Sequence, residues 1–465
     1  MNKALLAATG LILTTALVAP KFITSKIEQQ AQALVSTVND WPYYQASLSD
    51  VDAGWFSYHA RLKVEVDLPA MLADGQPANI APLPLEFDIQ SHQGPVLASG
   101  LGLSQFQITL AGDGFREQLV WDEQQAFYQM TGKLGLTGAL SFEDKIAGFQ
   151  YFNDKGQAEV APYIGTAETV NGTLQYRGEL AATSLKFNGS KAELNRIHWT
   201  ANLYEPLANY VDQAQWHKSD IKLTIDKIDM ARAGQQIMSM QTFEVSSNSN
   251  VDAQDRRGDM EIAYRLKQFI AGSIQGQDME LVLELANLDE AAFFGLNQVL
   301  ADQSASQDPQ FYADEHRNAI KQHLLALFQN QPELNIRSLK GSFPQGILEG
   351  QLTSKLVDVS DLPDDLEATE FWLTHIKADS HLKIGKELAT ALAEFFMMME
   401  LHKNPDFIAL EAEQKEQIVT QQVANLLAMF EAQGTLKVED EDYTLAFSLA
   451  DGQANINGQS LPLGQ

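Results

Sequence analysis

The 465-residue chain contains no cysteine. Disulfides, thiolate metal sites, cysteine nucleophiles and lipid attachment through an N-terminal cysteine are all excluded. Basic side chains are also scarce, with 32 Lys and Arg against 61 Asp and Glu, a net charge of −29. Phosphate backbones are bound through basic patches, so nucleic acid is not an expected partner. The same balance argues against a body lying flat on anionic lipid. Solubility is the plain reading of the acidity.

Recognisable chemistry is missing too. The nine histidines are scattered, and His316 and His323 stand two helical turns apart, too far for a close metal pair. No HExxH or GxSxG is present. The glycine-rich Gly132–Gly138 lacks phosphate-loop spacing and reads as a hairpin. Asp358, Asp361, Asp364 and Asp365 suggest calcium, but no central glycine is present and Pro363 interrupts the run. Glu439–Asp442 reads as an acidic hairpin tip. Met397, Met398 and Met399, beside Phe395 and Phe396, read as adaptable core. No catalytic, cofactor-binding or metal-binding residue is named by this pattern, and no cofactor is expected.

One long hydrophobic run is present. Ala4–Ala19 carries no charge, follows Lys3 and ends at Pro20-Lys21. This is the pattern of an export signal, either cleaved or retained as an anchor. Small residues are poorly placed for cleavage, which favours a retained anchor, although a spanning helix needs about 20 apolar residues. Phe22 and Ile23 extend the run, with Lys21 reaching toward the interface. Helical spacing of Ile23, Ile27, Leu34 and Val38 continues as a juxtamembrane stalk and stops at Asn39-Asp40-Trp41-Pro42. The expectation is a single-pass bacterial inner-membrane protein with a transmembrane helix at residues 1–40 and its body in the periplasm.

From residue 41 to 272 the pattern has a period of two. Tyr58, Ala60, Leu62, Val64, Val66 and Leu68 alternate with His59, Arg61, Lys63, Glu65 and Asp67. Leu83–Ile89, Ile221–Ile225 and Met260–Leu266 alternate in the same way. Asp74-Gly75, Asn171-Gly172 and Asn188-Gly189 read as turns, giving a long antiparallel meander. Residues 273–465 mix strands and helices. A strand at Asp278–Leu288 precedes helices near residues 289–300 and after Asp308-Pro309, and then a strand near Leu334. The order returns at His381–Ile384, a helix with Leu388, Leu392, Phe395 and Met399, a helix restarted by Asn404-Pro405, a Gly434 stop and strands to Leu449. The expected class is α+β: a membrane helix, a β-rich domain and a C-terminal domain with two strand–helix–helix–strand units.

Several short phrases occur in a suggestive order: Gly54-Trp55-Phe56-Ser57, His92-Gln93-Gly94-Pro95, Ala286-Asn287-Leu288-Asp289, Tyr443-Thr444-Leu445, Asp451-Gly452-Gln453 and Asn457-Gly458-Gln459. With the N-terminal run, they resemble the YdgA-like family of bacterial proteins of unknown function. The resemblance implies inner-membrane attachment and a periplasmic body in Gram-negative bacteria, and it supplies no catalytic residues. The functional expectation is a non-enzymatic protein that binds a lipid, glycan or protein partner of the cell envelope. The alternatives are a homo-oligomeric assembly module and a carboxylate-based hydrolase, which needs two carboxyls converging in one cleft. Because helices are few before residue 289, the apolar face of the early sheet is expected either to be covered by the sheet curling on itself, the more common outcome, or to stay open to a lipid or other hydrophobic partner.

Overall fold

The computed structural model describes residues 20–461, except 42, 68–82, 95, 154–155, 208, 212–214, 253, 273, 306–313 and 367. Strand makes up 56% of the structure and helix 23%. The α+β class is therefore corrected to a mostly antiparallel sheet. Apart from the N-terminal helix, the helices are excursions between strands. The chain forms two compact units; the first extends to Gln236, and the second holds Ile237–Ser247, Val251–Val299 and Tyr312–Gln465.

The first unit begins with helix α1 (Pro20–Asn39). Its opening strands are β1 (Tyr44–Ala53), β2 (Ser57–Val66), β3 (Leu83–Gln93), β4 (Ser104–Leu110), β5 (Tyr128–Leu134) and β6 (Leu140–Ile146), each antiparallel to the next. The hairpin β7 (Phe149–Asn153) and β8 (Gly156–Val160) follows. Strands β9 (Tyr163–Val170), β10 (Thr173–Phe187), β11 (Ser190–Leu203) and β12 (Ser219–Arg232) continue the sheet from β6. Asn171-Gly172 and Asn188-Gly189 both take left-handed φ values, 52° and 83° and then 49° and 77°, as tight hairpin turns require.

The stalk expected from α1 is overturned. Ile27, Ala31, Leu34 and Val38 lie in one buried cluster with Leu62, Val64, Phe87, Ile89, Ile108 and Met130. Ala31 is fully buried, as a small side chain at a close helix–sheet approach should be. The Asn39 side chain ties the end of α1 to β1, donating to the Ala46 carbonyl at 3.1 Å and accepting from its N–H at 2.6 Å. The helix is thus the missing cover of the early sheet. Tyr58, Ala60, Leu62, Val64 and Val66 are all buried, so the apolar face does not stay open there; Leu68 and the Asp74-Gly75 turn lie outside the described residues.

The single-pass inner-membrane location, with its transmembrane signal anchor, is likewise corrected. Among the described residues no helix is long and apolar enough to cross a membrane. The expected span, Ala4–Ala19, lies outside the described residues. Of the apolar stripe read as a juxtamembrane stalk, Ile27, Leu34 and Val38 are used by the core.

The second unit holds most of β13 (Gln235–Val251), then β14 (Arg257–Ala271) and β15 (Ile274–Asp289). Helices α2 (Glu290–Ala305) and α3 (Asp314–Gln329) separate β15 from its antiparallel neighbour β16 (Glu333–Phe343). Strand β17 (Gly346–Leu356), helix α4 (Thr369–His375) and strand β18 (Ile376–Gly385) follow. Next come α5 (Lys386–Leu401), α6 (Pro405–Ile408) and α7 (Ala412–Ala432). The unit closes with β19 (Lys437–Glu439), β20 (Asp442–Ala450), β21 (Gln453–Ile456) and β22 (Gln459–Leu461). Strand β18 pairs directly with β20 across its helical excursion. Asn404-Pro405 begins only the four-residue α6. The long second helix starts at Ala412, where the Gln414 side chain accepts the Glu411 N–H at 3.3 Å. Asp308-Pro309 lies outside the described residues.

Candidate functional site

Antiparallel register brings the ends of β1–β6 together. Ala53 faces Tyr58, Ser57 faces His92, Gln93 faces Ser104, Ser104 faces Leu134 and Leu134 faces Leu140. The turns at residues 53–57, 92–103 and 133–140 therefore stand side by side at one end of the first unit. A small hairpin in the middle turn pairs Val96 with Leu101. These turns expose Trp55, Phe56, Val96, Leu101 and Leu136; Val96 is 78% exposed and Leu101 63%.

The three turns contain no Asp or Glu, although the chain has 61. Their ionisable side chains are His92 and Lys133, and the Lys133 ammonium donates to the Ser99 carbonyl at 3.3 Å. Behind this rim, Asp50 pairs with Arg61 at 3.0 Å and Asp88 with His59 at 2.8 Å. Asp52 stands opposite His59 in the β1–β2 ladder. The opposite end differs. The connection from β4 to β5 exposes Asp113, Glu117, Asp122 and Glu123. Its one base, Arg116, lies 3.6 Å from Asp113 and 4.0 Å from the Trp121 ring centre.

A second feature lies inside the same unit. In register across four strands stand Asp144, Gly165, Gly178 and Trp199. The two glycines leave a hollow that neighbouring side chains fill. A Cβ on Gly165 would fall 2.1 Å from Asp144 Oδ1, 2.3 Å from the Tyr176 hydroxyl and 2.4 Å from the Tyr163 hydroxyl. Tyr176 donates to the Asp144 carboxyl at 3.1 and 3.3 Å. Tyr163 stacks on Trp199, centroids 4.8 Å apart. Asp144 is 2% exposed, and burial pushes its carboxyl up to about 6, against a smaller opposing effect of the Tyr176 hydrogen bond. Burial, and then the nearby Asp144 charge, raises the Tyr176 phenol.

Asp144 thus has phenols beside it where a glycosidase would need a second carboxyl. The contrast within the chain is Glu280, on β15 of the second unit. Hydrogen bonds from Lys340 and then Arg265, outweighing partial burial, hold its carboxyl down to about 2. The Lys340 and Arg265 contacts measure 3.0 and 2.8 Å.

The remaining candidates have local roles. The His323 ring fills the space over Gly295, joining α3 to α2; the side chain of His316 is outside the described residues. Asp364 reaches Lys321 at 3.4 Å, and Asp361 accepts the Leu362 N–H at 2.9 Å. Among the described residues no three His, Asp or Glu side chains are grouped to hold a metal ion. Gly132 lies within β5, and Gly135–Gly138 closes the β5–β6 hairpin. Asp440 takes the left-handed turn between Glu439 and Asp442. The methionine run divides: Met397 and Met398 pack on Phe407, Val419 and Val423, whereas Phe395, Phe396 and Met399 are exposed.

The exposed rim was missed in the sequence because it joins three turns far apart in the chain. Counting acids turn by turn would have marked it. The buried cluster was missed because it exists only in register; two mid-strand glycines were its one signal.

Comparisons with known proteins place the chain in a family. Over residues 1–464 the chain matches the family model described as "Bacterial protein of unknown function (DUF945)". It is similar to protein YdgA of Escherichia coli (strain K12), 23% identical over 256 residues, covering 52% of this chain and 49% of YdgA. The chain thus matches about half the length of that relative. No solved structure matches. Neither description states a reaction. The family match spans nearly every residue, including the turns that build the rim, and on that ground the chain belongs to the YdgA-like DUF945 family of bacterial proteins of unknown function.

Proposed function

We propose that the protein is a non-catalytic binding protein whose binding surface is the acid-free rim formed by the β1–β2, β3–β4 and β5–β6 turns. The observation that carries this reading is the convergence of five exposed apolar side chains, from Trp55 to Leu136, at one end of an acidic molecule. Large apolar residues at loop tips cost solubility and add nothing to the core, so their clustering marks an interaction surface. Supporting rigidity comes from behind: Tyr58, Phe106 and Leu134 anchor the strand ends in the core.

The test is photo-crosslinking in living bacteria that produce the full chain. A photoreactive residue replaces Phe56 in one variant and Gln124, at the acidic end, in another. The expected result is a discrete adduct, with lipid or protein, from position 56 and none from position 124. Equal labelling at both positions, or none at 56, overturns the proposal.

A further inference from the structure

The rim is made of hairpin tips, which present protruding side chains and not the concave, enclosing walls of a small-ligand site. Its five apolar side chains expose on the order of 500 Å², comparable to the apolar share of the roughly 800 Å² that each partner contributes to a stable protein interface. Insertion into the boundary between headgroups and acyl chains asks for less: a few large apolar side chains, with aromatics favoured at that depth.

Charge points the same way. A −29 chain is repelled by an anionic membrane over about one Debye length, roughly 8 Å in physiological salt. Strand β4 separates the two ends by seven residues, or about 20 Å at ~3.3 Å per residue. Asp113, Glu117, Asp122 and Glu123 at the far end are therefore screened from any surface that the rim touches. The rim itself carries no acid, and Lys133 is its one Lys or Arg.

Resting on the binding reading above, we infer that the rim's partner is a lipid bilayer, met peripherally by the tips Trp55-Phe56, Val96–Leu101 and Leu136 at the level of the headgroups. Nothing in this contact spans the membrane. The body behind the rim, with its net negative charge, makes the contact prefer zwitterionic over anionic lipid at low salt.

The absence of cysteine allows a direct experiment on the full chain. Ser99→Cys, between Val96 and Leu101, and Gln124→Cys each accept one environment-sensitive fluorophore. The labelled proteins are titrated with vesicles of phosphatidylcholine and phosphatidylethanolamine. Emission from position 99 should rise several-fold and shift to the blue, while position 124 stays unchanged. Adding phosphatidylglycerol should weaken the response in low salt, and added salt should restore it. Combining Phe56→Ser with Leu136→Ser should lower vesicle affinity at least tenfold while the melting temperature holds, which separates lost contact from lost folding. A silent position 99, or equal responses at both positions, overturns the inference. If position 99 is silent while crosslinking from position 56 yields a protein adduct, the lipid assignment fails and the binding reading stands. If crosslinking also yields nothing, both fail.

Discussion

The two ends of the β1–β6 meander are made by the same device, hairpin turns in consecutive register, and they are opposite in character. One end shows Trp55, Phe56, Val96, Leu101 and Leu136 without an acid. The other shows Asp113, Glu117, Asp122 and Glu123. Net charge says that this chain is acidic; only the fold says where it is not. Between the ends runs a shared core, in which Phe87 and Ile89 are fully buried against α1. The difference teaches that the rim is spare surface: neither stability nor solubility calls for those side chains there.

Five substitutions, set out as three comparisons, sharpen or break that contrast, taken from the largest expected effect on stability to the smallest. Phe87→Ala, in the core between the ends, should cost about 3–5 kcal/mol in denaturant unfolding. Phe56→Ala, at the rim, should stay within about 0.5 kcal/mol, as surface changes do. Comparable losses would make the rim part of the core.

Asp144→Asn comes next. The Asp144 carboxyl rises in the folded state from 3.8 to about 6. Its contribution is therefore most favourable below pH 4 and is lost as pH climbs through about 6. At ~1.4 kcal/mol per unit, the charge costs up to about 3 kcal/mol above pH 6. Asparagine keeps an oxygen for the Tyr176 hydroxyl, so this variant should be more stable than the parent at pH 7 and nearly equal to it at pH 4. Urea midpoints at the two pH values test this, and a constant difference would show that Asp144 is not the titrating group.

At the end away from the rim, Asn39→Ala removes both links between α1 and Ala46 and should lower stability by about 1 kcal/mol. Leu101→Ser, at the rim, should change it by less than about 0.5 kcal/mol. Thermal melts of the pair provide the comparison. A larger loss from Leu101→Ser would mean that the hairpin tip is structural.

Much of the first unit was legible in the sequence. Alternation at Tyr58–Val66 and the Asn-Gly turns follow from backbone geometry that any strand or tight hairpin obeys. The role of α1 was not legible. A stripe at Ile23, Ile27, Leu34 and Val38 reads alike whether it faces lipid, a helix or a sheet, and the uncharged run before it favoured the wrong choice. Ala31, fully buried in that core, gives no strong hydrophobic signal of its own.

The second unit departs for a different reason. Met260, Ile262, Tyr264 and Leu266 read as its buried face, yet Tyr264 is exposed and Ala263, on the other face, is buried. Arg265, Glu280 and Lys340 form ion pairs across three strands on the face that carries Ala263 and its cross-strand partner Val282. Ion-pair ladders of this kind need three strands in register, which a single strand's pattern does not contain. The candidate site shared this limit: Trp55-Phe56 was legible as a phrase, but not its meeting with Val96 and Leu136.

The central claim, that the rim meets a bilayer and does not hold the fold together, is tested most directly by introducing one acid where there are none. In Val96→Asp, vesicle affinity and melting temperature are measured on the same full-length preparation. The account predicts at least a tenfold loss of affinity with a melting temperature within about 2 °C of the parent, since a surface change of this kind alters stability little. Unchanged affinity would contradict it, as would a loss of affinity that is matched by a fall in melting temperature.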